Sequence, residues 1–193
     1  MKDADADSSS QAANSGHEEP EISRIARFNF SPLIWFTIIA VTTVIIDQIT
    51  KFIAESSLEQ YERIDLIGDL LGLRLVYNSG AAFSFGSGAT WVLSLLATIV
   101  AIVIIRIAPR ISSWAWIWAL SLLLGGAIGN LIDRFFKAPG FPQGHVVDFI
   151  DYGIFVGNVA DIAIVFAAIF MVYLGVRGKE IQAPAPEVSD RVE

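Results

Sequence analysis

Polar side chains with regular spacing lie at the ends of long apolar stretches in this sequence. Asp47 and Lys51 are four residues apart, and Asn158 and Asp161 are three apart, so each pair would lie on one face of a helix. A charged side chain near the centre of a bilayer costs about 2.5–3.5 kcal/mol to insert. Such residues therefore face a protein interior or a wet cavity, and they indicate a functional site.

Asp148 and Asp161 are the best candidates for a catalytic pair. Two carboxylates within hydrogen-bond reach share one proton, because they cannot both ionise easily. One then activates a water as a general base, and the other, protonated, acts as an acid toward a carbonyl or a leaving amine. Asp148 precedes the last apolar stretch and Asp161 lies in its first turns, so the two can meet without sharing a helix face.

The cations near these carboxylates are predicted to neutralise structural acids. Lys51 is suited to Asp47, and Arg134 to the adjacent Asp133. For Arg134 an equally good interpretation is that it binds the backbone of a substrate. Asp151 is interpreted as a surface charge.

Amide and glycine positions complete the pattern. Asn78, Asn130 and Asn158 can supply neutral hydrogen bonds to backbone or substrate. Gly125 and Gly129 form a G-x-x-x-G spacing, which permits close approach of two helices.

Other hydrolytic chemistries lack their residues here. The chain has no cysteine and only two histidines, His17 and His145, so thiol nucleophiles and multi-histidine metal sites are excluded. The sequence contains no H-E-x-x-H zinc motif, and it has neither a G-x-S-G nor a G-x-G-D intramembrane protease motif. We therefore expect no metal and no cofactor.

The composition is that of a membrane protein. The 193 residues are 54% hydrophobic and 17% charged, whereas soluble domains are about 45–50% apolar and about 25% charged. No basic stripe is present, which argues against a nucleic-acid partner.

Four apolar stretches are each long enough to cross a bilayer, which needs about 20 helical residues. They are Leu33–Ala54, Ala89–Ile105, Trp114–Ile132 and Ile154–Val176. We predict an all-α membrane domain over 31–178. A disordered cytoplasmic tail is predicted over 1–30, and a second polar cytoplasmic tail over 179–193.

The connections between spans suggest a small sheet. The first runs from about Glu55 to Gly88 and alternates partially from Leu71 onward, which predicts a β-like cradle on the membrane surface. The second, Phe135–Gly153, is predicted to be a surface loop or flap.

Lys and Arg residues set the orientation. With both termini in the cytoplasm, eight of them lie inside and five outside, which satisfies the positive-inside rule. Every polar cluster described above then lies at the outer leaflet.

Taken together, four sequence blocks resemble the lipoprotein signal peptidase (signal peptidase II) family over roughly residues 31 to 178. One residue departs from it: Gly157 stands where the family commonly has Phe, and its effect stays open. The blocks are Asp47-Gln48-x-x-Lys51, Asn78-Ser79-Gly80-Ala81-Ala82-Phe83-Ser84, Gly126-x-x-Gly129-Asn130-Leu131-Ile132-Asp133-Arg134, and Val146-Val147-Asp148-Phe149 with Asn158-Val159-Ala160-Asp161.

The resemblance implies an aspartic endopeptidase of the bacterial inner membrane. It would cut the signal peptide from diacylglyceryl-modified prolipoproteins, just before the lipidated cysteine, and globomycin would inhibit it. The positions correspond to a catalytic dyad, to substrate-binding or supporting residues, and to structural polar residues. The residues at the dyad positions are Asp148 and Asp161. The substrate-binding or supporting positions are Asn78, Gly80, Asn130, Arg134 and Asn158, and the structural polar positions are Asp47, Lys51 and Asp133.

A small transporter or proton-conducting subunit is the alternative function. Clustered Asp, Asn and Arg side chains would then line an ion path. A conduit needs polar groups at several depths, whereas the inner halves of all four stretches carry only scattered hydroxyls. We also expect a monomer.

Overall fold

The computed structural model describes residues 31–80 and 90–181, which form four long helices and one small sheet. The helices are α1 (Pro32–Ser57), α2 (Thr90–Ile107), α3 (Trp114–Phe136) and α4 (Val159–Val176), and a short 3-10 helix, Ala108–Arg110, follows α2. The strands are β1 (Arg63–Ile67), β2 (Leu71–Asn78), β3 (Val146–Asp151) and β4 (Val156–Gly157). They form an antiparallel sheet in the order β1-β2-β3-β4.

All four helices are long and apolar enough to cross a membrane, as the sequence predicted. Helix α3 is the central one, because 61% of its most apolar 18 residues are buried inside the protein, against 22–28% for the other three. The outer helices expose apolar side chains such as Ile49, Ile102 and Phe166. Such exposure is stable where the surroundings are lipid.

Glycines on α3 let its neighbours approach closely. A Cβ at Gly125 would lie 2.6 Å from the Cβ of Thr43 on α1. A Cβ at Gly126 would lie 2.6 Å from the carbonyl oxygen of Ala160 on α4. The prediction that these glycines permit close helix approach is therefore confirmed. Gly126 lies outside the G-x-x-x-G pair, but it also allows a close helix contact, the one with α4.

The sheet joins both predicted outer connections. Strand β2 covers the segment predicted to alternate, and β3 pairs with it in the register Val76 to Asp148 and Asn78 to Val146. The second connection is thus only partly the surface loop that was predicted, because its later half is a strand. The segment Val146–Asp151 is a strand because its backbone pairs with β2. This short apolar run has no local pattern that distinguishes a strand from a loop or a helix.

Helix α4 begins later than hydropathy suggested. Val156 and Gly157 form β4, and Asn158 caps the helix, so Ile154 is not helical. Asn158 accepts from the backbone N–H of Asp161, whose carboxylate accepts in turn from the N–H of Asn158, which is a capping box. The predicted tail over 1–30, most of the tail over 179–193, and positions 81–84 of the second sequence block lie outside the described residues.

Candidate active site

A buried ion cluster lies where α1 and α3 meet. The ammonium of Lys51 is 2.8 Å from Oδ2 of Asp47 and 2.7 Å from Oδ2 of Asp133. It also donates to Oδ1 of Asn130 at 3.0 Å. The predicted pairing of Asp47 with Lys51 is confirmed. The proposed pairing of Asp133 with Arg134 is wrong, since Lys51 neutralises both acids.

This cluster also fixes two backbone positions. Oδ2 of Asp133 accepts from the N–H of Val147 at 3.1 Å, and Oδ1 of Asp47 accepts from the N–H of Ala160 at 2.9 Å. Val147 and Ala160 each immediately precede one aspartate of the candidate pair. A single set of buried charges therefore positions both the strand and the helix that carry the pair.

Asp148 lies on β3 and is almost completely buried, with 1% of its surface exposed. Its two carboxylate oxygens accept from the side-chain amides of Asn78 at 2.8 Å and of Asn158 at 2.6 Å. Burial, and after it the negative charge of Asp161, raise the pKa of Asp148 to about 7. The carboxyl group therefore exchanges its proton near neutral pH.

Asp161 lies in the first turn of α4. Its Oδ1 accepts from the side-chain amide of Asn130 at 2.9 Å, and its Oδ2 accepts from the backbone N–H of Asn158 at 3.1 Å. Asn158 is thus hydrogen-bonded to both aspartates. The structure brings the two predicted carboxylates to one site through this shared residue.

The three asparagine side chains are oriented by donors that face their oxygens. The N–H of Gly80 donates to Oδ1 of Asn78 at 2.7 Å, and the N–H of Asp161 donates to Oδ1 of Asn158 at 3.0 Å. Lys51 does the same for Asn130. Because an amide oxygen cannot donate, each NH₂ group must point toward a carboxylate.

Arg134 contacts backbone rather than an acid. Its Nη1 donates to the carbonyl oxygens of Asn78 at 3.3 Å and Gly144 at 3.2 Å. These bonds connect α3 to β2 and to the segment before β3. The guanidinium also lines the cavity beside the two aspartates. The alternative interpretation, that it binds the backbone of a substrate, stays a prediction.

A cavity of about 310 Å³ opens beside the two aspartates, between α2, α3 and α4. One end is polar and the rest is apolar. Gly80, with φ +92°, adopts a conformation that favours glycine, and a Cβ there would lie 2.6 Å from Leu93 on the cavity wall. The polar lining residues are Asn78, Asn130, Arg134, Asp148 and Asp161, and the apolar ones include Leu96, Val100, Leu123 and Ile164.

Two residues near the site were missed or misread from sequence. Asp151 is buried, not a surface charge, and its Oδ2 lies 3.4 Å from Arg63 Nε and 3.5 Å from Arg74 Nη1. Gln48 donates to the carbonyl oxygen of Gly129 and contacts both acids of the ion cluster. Sequence spacing could not pair Asp151 with arginines more than 70 positions away. The position of Gln48 next to Asp47, by contrast, was a signal from which its contact with the ion cluster could have been predicted.

Gly157 borders Asp161 directly. A Cβ at this position would lie 3.1 Å from Oδ2 of Asp161 and 3.4 Å from the ring of Phe155. A larger side chain would require one of these groups to shift. Glycine therefore leaves room for the carboxylate, and Phe155 takes the neighbouring space.

The geometry defines a class: a four-span membrane protein with a carboxylate pair at one end of an apolar cavity. Residues 39–177 match the sequence profile of signal peptidase (SPase) II. The chain belongs to the signal peptidase II family, and it is a protease and a multi-pass protein of the bacterial inner membrane. This membership favours the peptidase over the transporter alternative.

Relatives and solved structures agree with this assignment. The chain is 49% identical to the lipoprotein signal peptidase of Rhodococcus jostii, over 74% of this chain and 73% of the relative. It is 46% identical to that of Mycobacterium tuberculosis, over 72% and 70%. It also resembles a solved structure described as a bacterial membrane enzyme, with a TM-score of 0.64 and 29% identity over 74% of this chain and 92% of that one.

Proposed function

We propose that this protein removes the signal peptide from diacylglyceryl-modified prolipoproteins, cutting just before the lipidated cysteine. The observation that carries the proposal is the buried carboxylate pair Asp148 and Asp161, bridged by Asn158 at the polar end of the cavity. The family assignment and the relatives named lipoprotein signal peptidase support the substrate class.

The proposed mechanism uses Asp148 and Asp161 as an aspartic dyad that shares one proton. The ionised carboxylate takes a proton from a water, whose oxygen attacks the scissile carbonyl carbon. The protonated carboxyl donates its proton to the carbonyl oxygen, which gives a gem-diol. The first carboxyl then passes the proton it took from water to the leaving amine as the C–N bond breaks, while the other carboxylate takes a proton back from a gem-diol hydroxyl, so the new acid is released and the pair again holds one proton. The raised pKa of Asp148 supports this, because a pair with one proton near neutral pH can act as base and acid together.

The surrounding amides hold the dyad in position. Asn78, Asn130 and Asn158 direct their NH₂ groups at the carboxylates, so their role is to fix the oxygens. Arg134 and Gly80 line the cavity and are proposed to contact the substrate backbone.

Asp47, Lys51 and Asp133 are assigned a structural role. Their charges are buried and mutually paired, and their spare oxygens bind backbone N–H groups beside the dyad. None of the three borders the cavity, so they act through the backbone rather than on substrate.

The apolar walls of the cavity are suited to an apolar signal segment. We propose that this segment docks between α2, α3 and α4, while the diacylglyceryl chains stay in lipid. The sheet would form the cradle over the cleavage site, with the loop before β3 as a flap. This assigns the dyad to the outer leaflet, both termini to the cytoplasm, and the peptidase domain to residues 31–178 of a monomer, between tails over 1–30 and 179–193.

A cleavage assay tests this proposal. The purified full chain in detergent would receive a prolipoprotein with or without the diacylglyceryl group, and the new amino terminus would be sequenced. We expect cleavage before the lipidated cysteine only, and inhibition by globomycin. Equal cleavage of both forms, or none of the lipidated form, would refute the proposed substrate.

A further inference from the structure

A second cavity is lined by none of the residues that border the dyad cavity. It has a volume of about 520 Å³ and is bordered by the end of α1, the start of the sheet and the segment after α3. Its lining is polar and aromatic, unlike the apolar wall beside the dyad. The lining residues are Glu55, Gln60, Tyr61, Tyr77, Lys137, Ala138 and His145.

Two of the lining residues, Glu55 and Lys137, form an ion pair with unused bonding capacity. Lys137 Nζ lies 2.5 Å from Oε2 of Glu55, and the hydroxyl of Tyr77 donates to Oε1 at 3.4 Å. An ammonium has three donors and a carboxylate about four acceptor positions, so both ions can bind a further partner without separating. The pair is a dipole, and a ligand with its own positive and negative ends fits it in the antiparallel direction.

Two tyrosine side chains line the cavity that contains this ion pair. Tyr61 has φ +67°, an uncommon conformation for a bulky residue, and its N–H bonds to the carbonyl oxygen of Leu75 at 3.0 Å. A strained backbone that is held by such a bond often marks a binding site. Tyr61 and Tyr77 both line the cavity together with Glu55, so two electron-rich rings are available to an ammonium group that binds there. His145 also lines the cavity and can act as a further donor.

The depth of the cavity matches a membrane headgroup region. Glu55 is in the last turn of α1, and Lys137 directly follows α3, so both are at the ends of spans. Tyr77 is the chain neighbour of Asn78 on β2, and Asn78 borders the dyad cavity, while His145 immediately precedes β3. Because successive strand residues point to opposite faces, a ligand here would contact the strands of the site without entering it.

We propose that this cavity binds the headgroup of a zwitterionic phospholipid, with its ammonium on Glu55 between the tyrosine rings and its phosphate on Lys137 and His145. Phosphatidylethanolamine has this chemistry. Phosphatidylglycerol offers only the phosphate, and it would leave Glu55 without a cationic partner from the ligand.

Native mass spectrometry of the full chain in detergent tests the proposal, with these two lipids carrying identical acyl chains. We expect phosphatidylethanolamine to be retained about three- to fivefold more strongly, the scale of a partly exposed ionic contact. Glu55→Gln and the exposed-residue variant Tyr61→Ala should remove this preference, and Lys137→Gln should weaken both lipids. Glu62→Gln and Lys179→Gln change similar charges outside the cavity and should have no effect.

Equal retention of the two lipids by the parent chain would overturn the proposal, as would an unchanged preference in both Glu55→Gln and Tyr61→Ala. Asp148→Asn should keep the lipid preference, because Asp148 does not line this cavity. The headgroup site and the proposed peptidase mechanism can therefore fail independently.

Discussion

Asp148 combines two features that oppose each other. Two amide donors favour its ionised form, whereas burial and the charge of Asp161 favour its protonated form more strongly. The result is a carboxyl group whose pKa is about 7. The amide donors fix the position of the carboxyl oxygens, and the buried, like-charged surroundings set its affinity for a proton.

The first prediction concerns pH. Cleavage should fall as pH rises through about 7, because the pair then loses the single proton that it donates to the carbonyl oxygen. Asn78→Ala removes a hydrogen bond that lowers the pKa of Asp148, so the midpoint of this fall should move to higher pH while the maximal rate drops. Rates of the parent and the variant between pH 5 and 9 measure both effects. A midpoint that stays or moves to lower pH would contradict the assignment.

Residue types and spacing could predict which side chains lie close together at the site, but they could not predict every hydrogen-bond or ion-pair partner. Asp47 with Lys51 follows from a four-residue separation on one helix. Arg134 could not be assigned, because the carbonyl groups it contacts belong to segments whose approach depends on the sheet. Asp151 was misread for the same reason: its arginine partners lie on β1 and β2.

At the scale of elements, the fold depends on how closely α4 approaches α3. Gly126 makes this possible, because any Cβ there would overlap the backbone of Ala160, the residue before Asp161. The start of α4 is therefore both a packing contact and part of the site. Hydropathy predicted the existence of this helix but not its first residue, since β4 is as apolar as the helix that follows.

A pair of glycine substitutions tests this contact. Gly126→Ala should lower the free energy of unfolding by about 1–3 kcal/mol, the usual cost of overpacking, and should reduce cleavage by displacing Asp161. Gly175→Ala, on α4 and with no atom within 4 Å of the new methyl group, should lower neither the stability nor the cleavage rate. Thermal unfolding in detergent and the cleavage rate are the measurements. Equal behaviour of the two variants would show that the contact tolerates a side chain.

At the scale of the whole molecule, the sheet and the dyad share one end of the helix bundle, and the α2–α3 connection lies at the other. The spans and their order were predictable because lipid imposes a length and an apolar surface. The single sheet was not predictable as a whole, because β2 and β3 pair across about 70 residues of chain.

The absence of native cysteine makes the orientation easy to test. Asp69, in the turn between β1 and β2, and Arg110, after α2, are both exposed and lie at opposite ends of the bundle. In intact cells an impermeant maleimide should label Asp69→Cys, and it should label Arg110→Cys only after permeabilisation. The reverse pattern would place the dyad at the cytoplasmic surface, away from the proposed substrate.

The most direct test of the central claim is the cleavage rate of Asp148→Asn and Asp161→Asn on a diacylglyceryl prolipoprotein. Asp65→Asn, an exposed carboxylate on β1, is the control. We predict that each dyad variant loses essentially all cleavage while its thermal unfolding in detergent remains cooperative, and that the control cleaves at the parent rate. Substantial cleavage by either folded dyad variant would contradict the account.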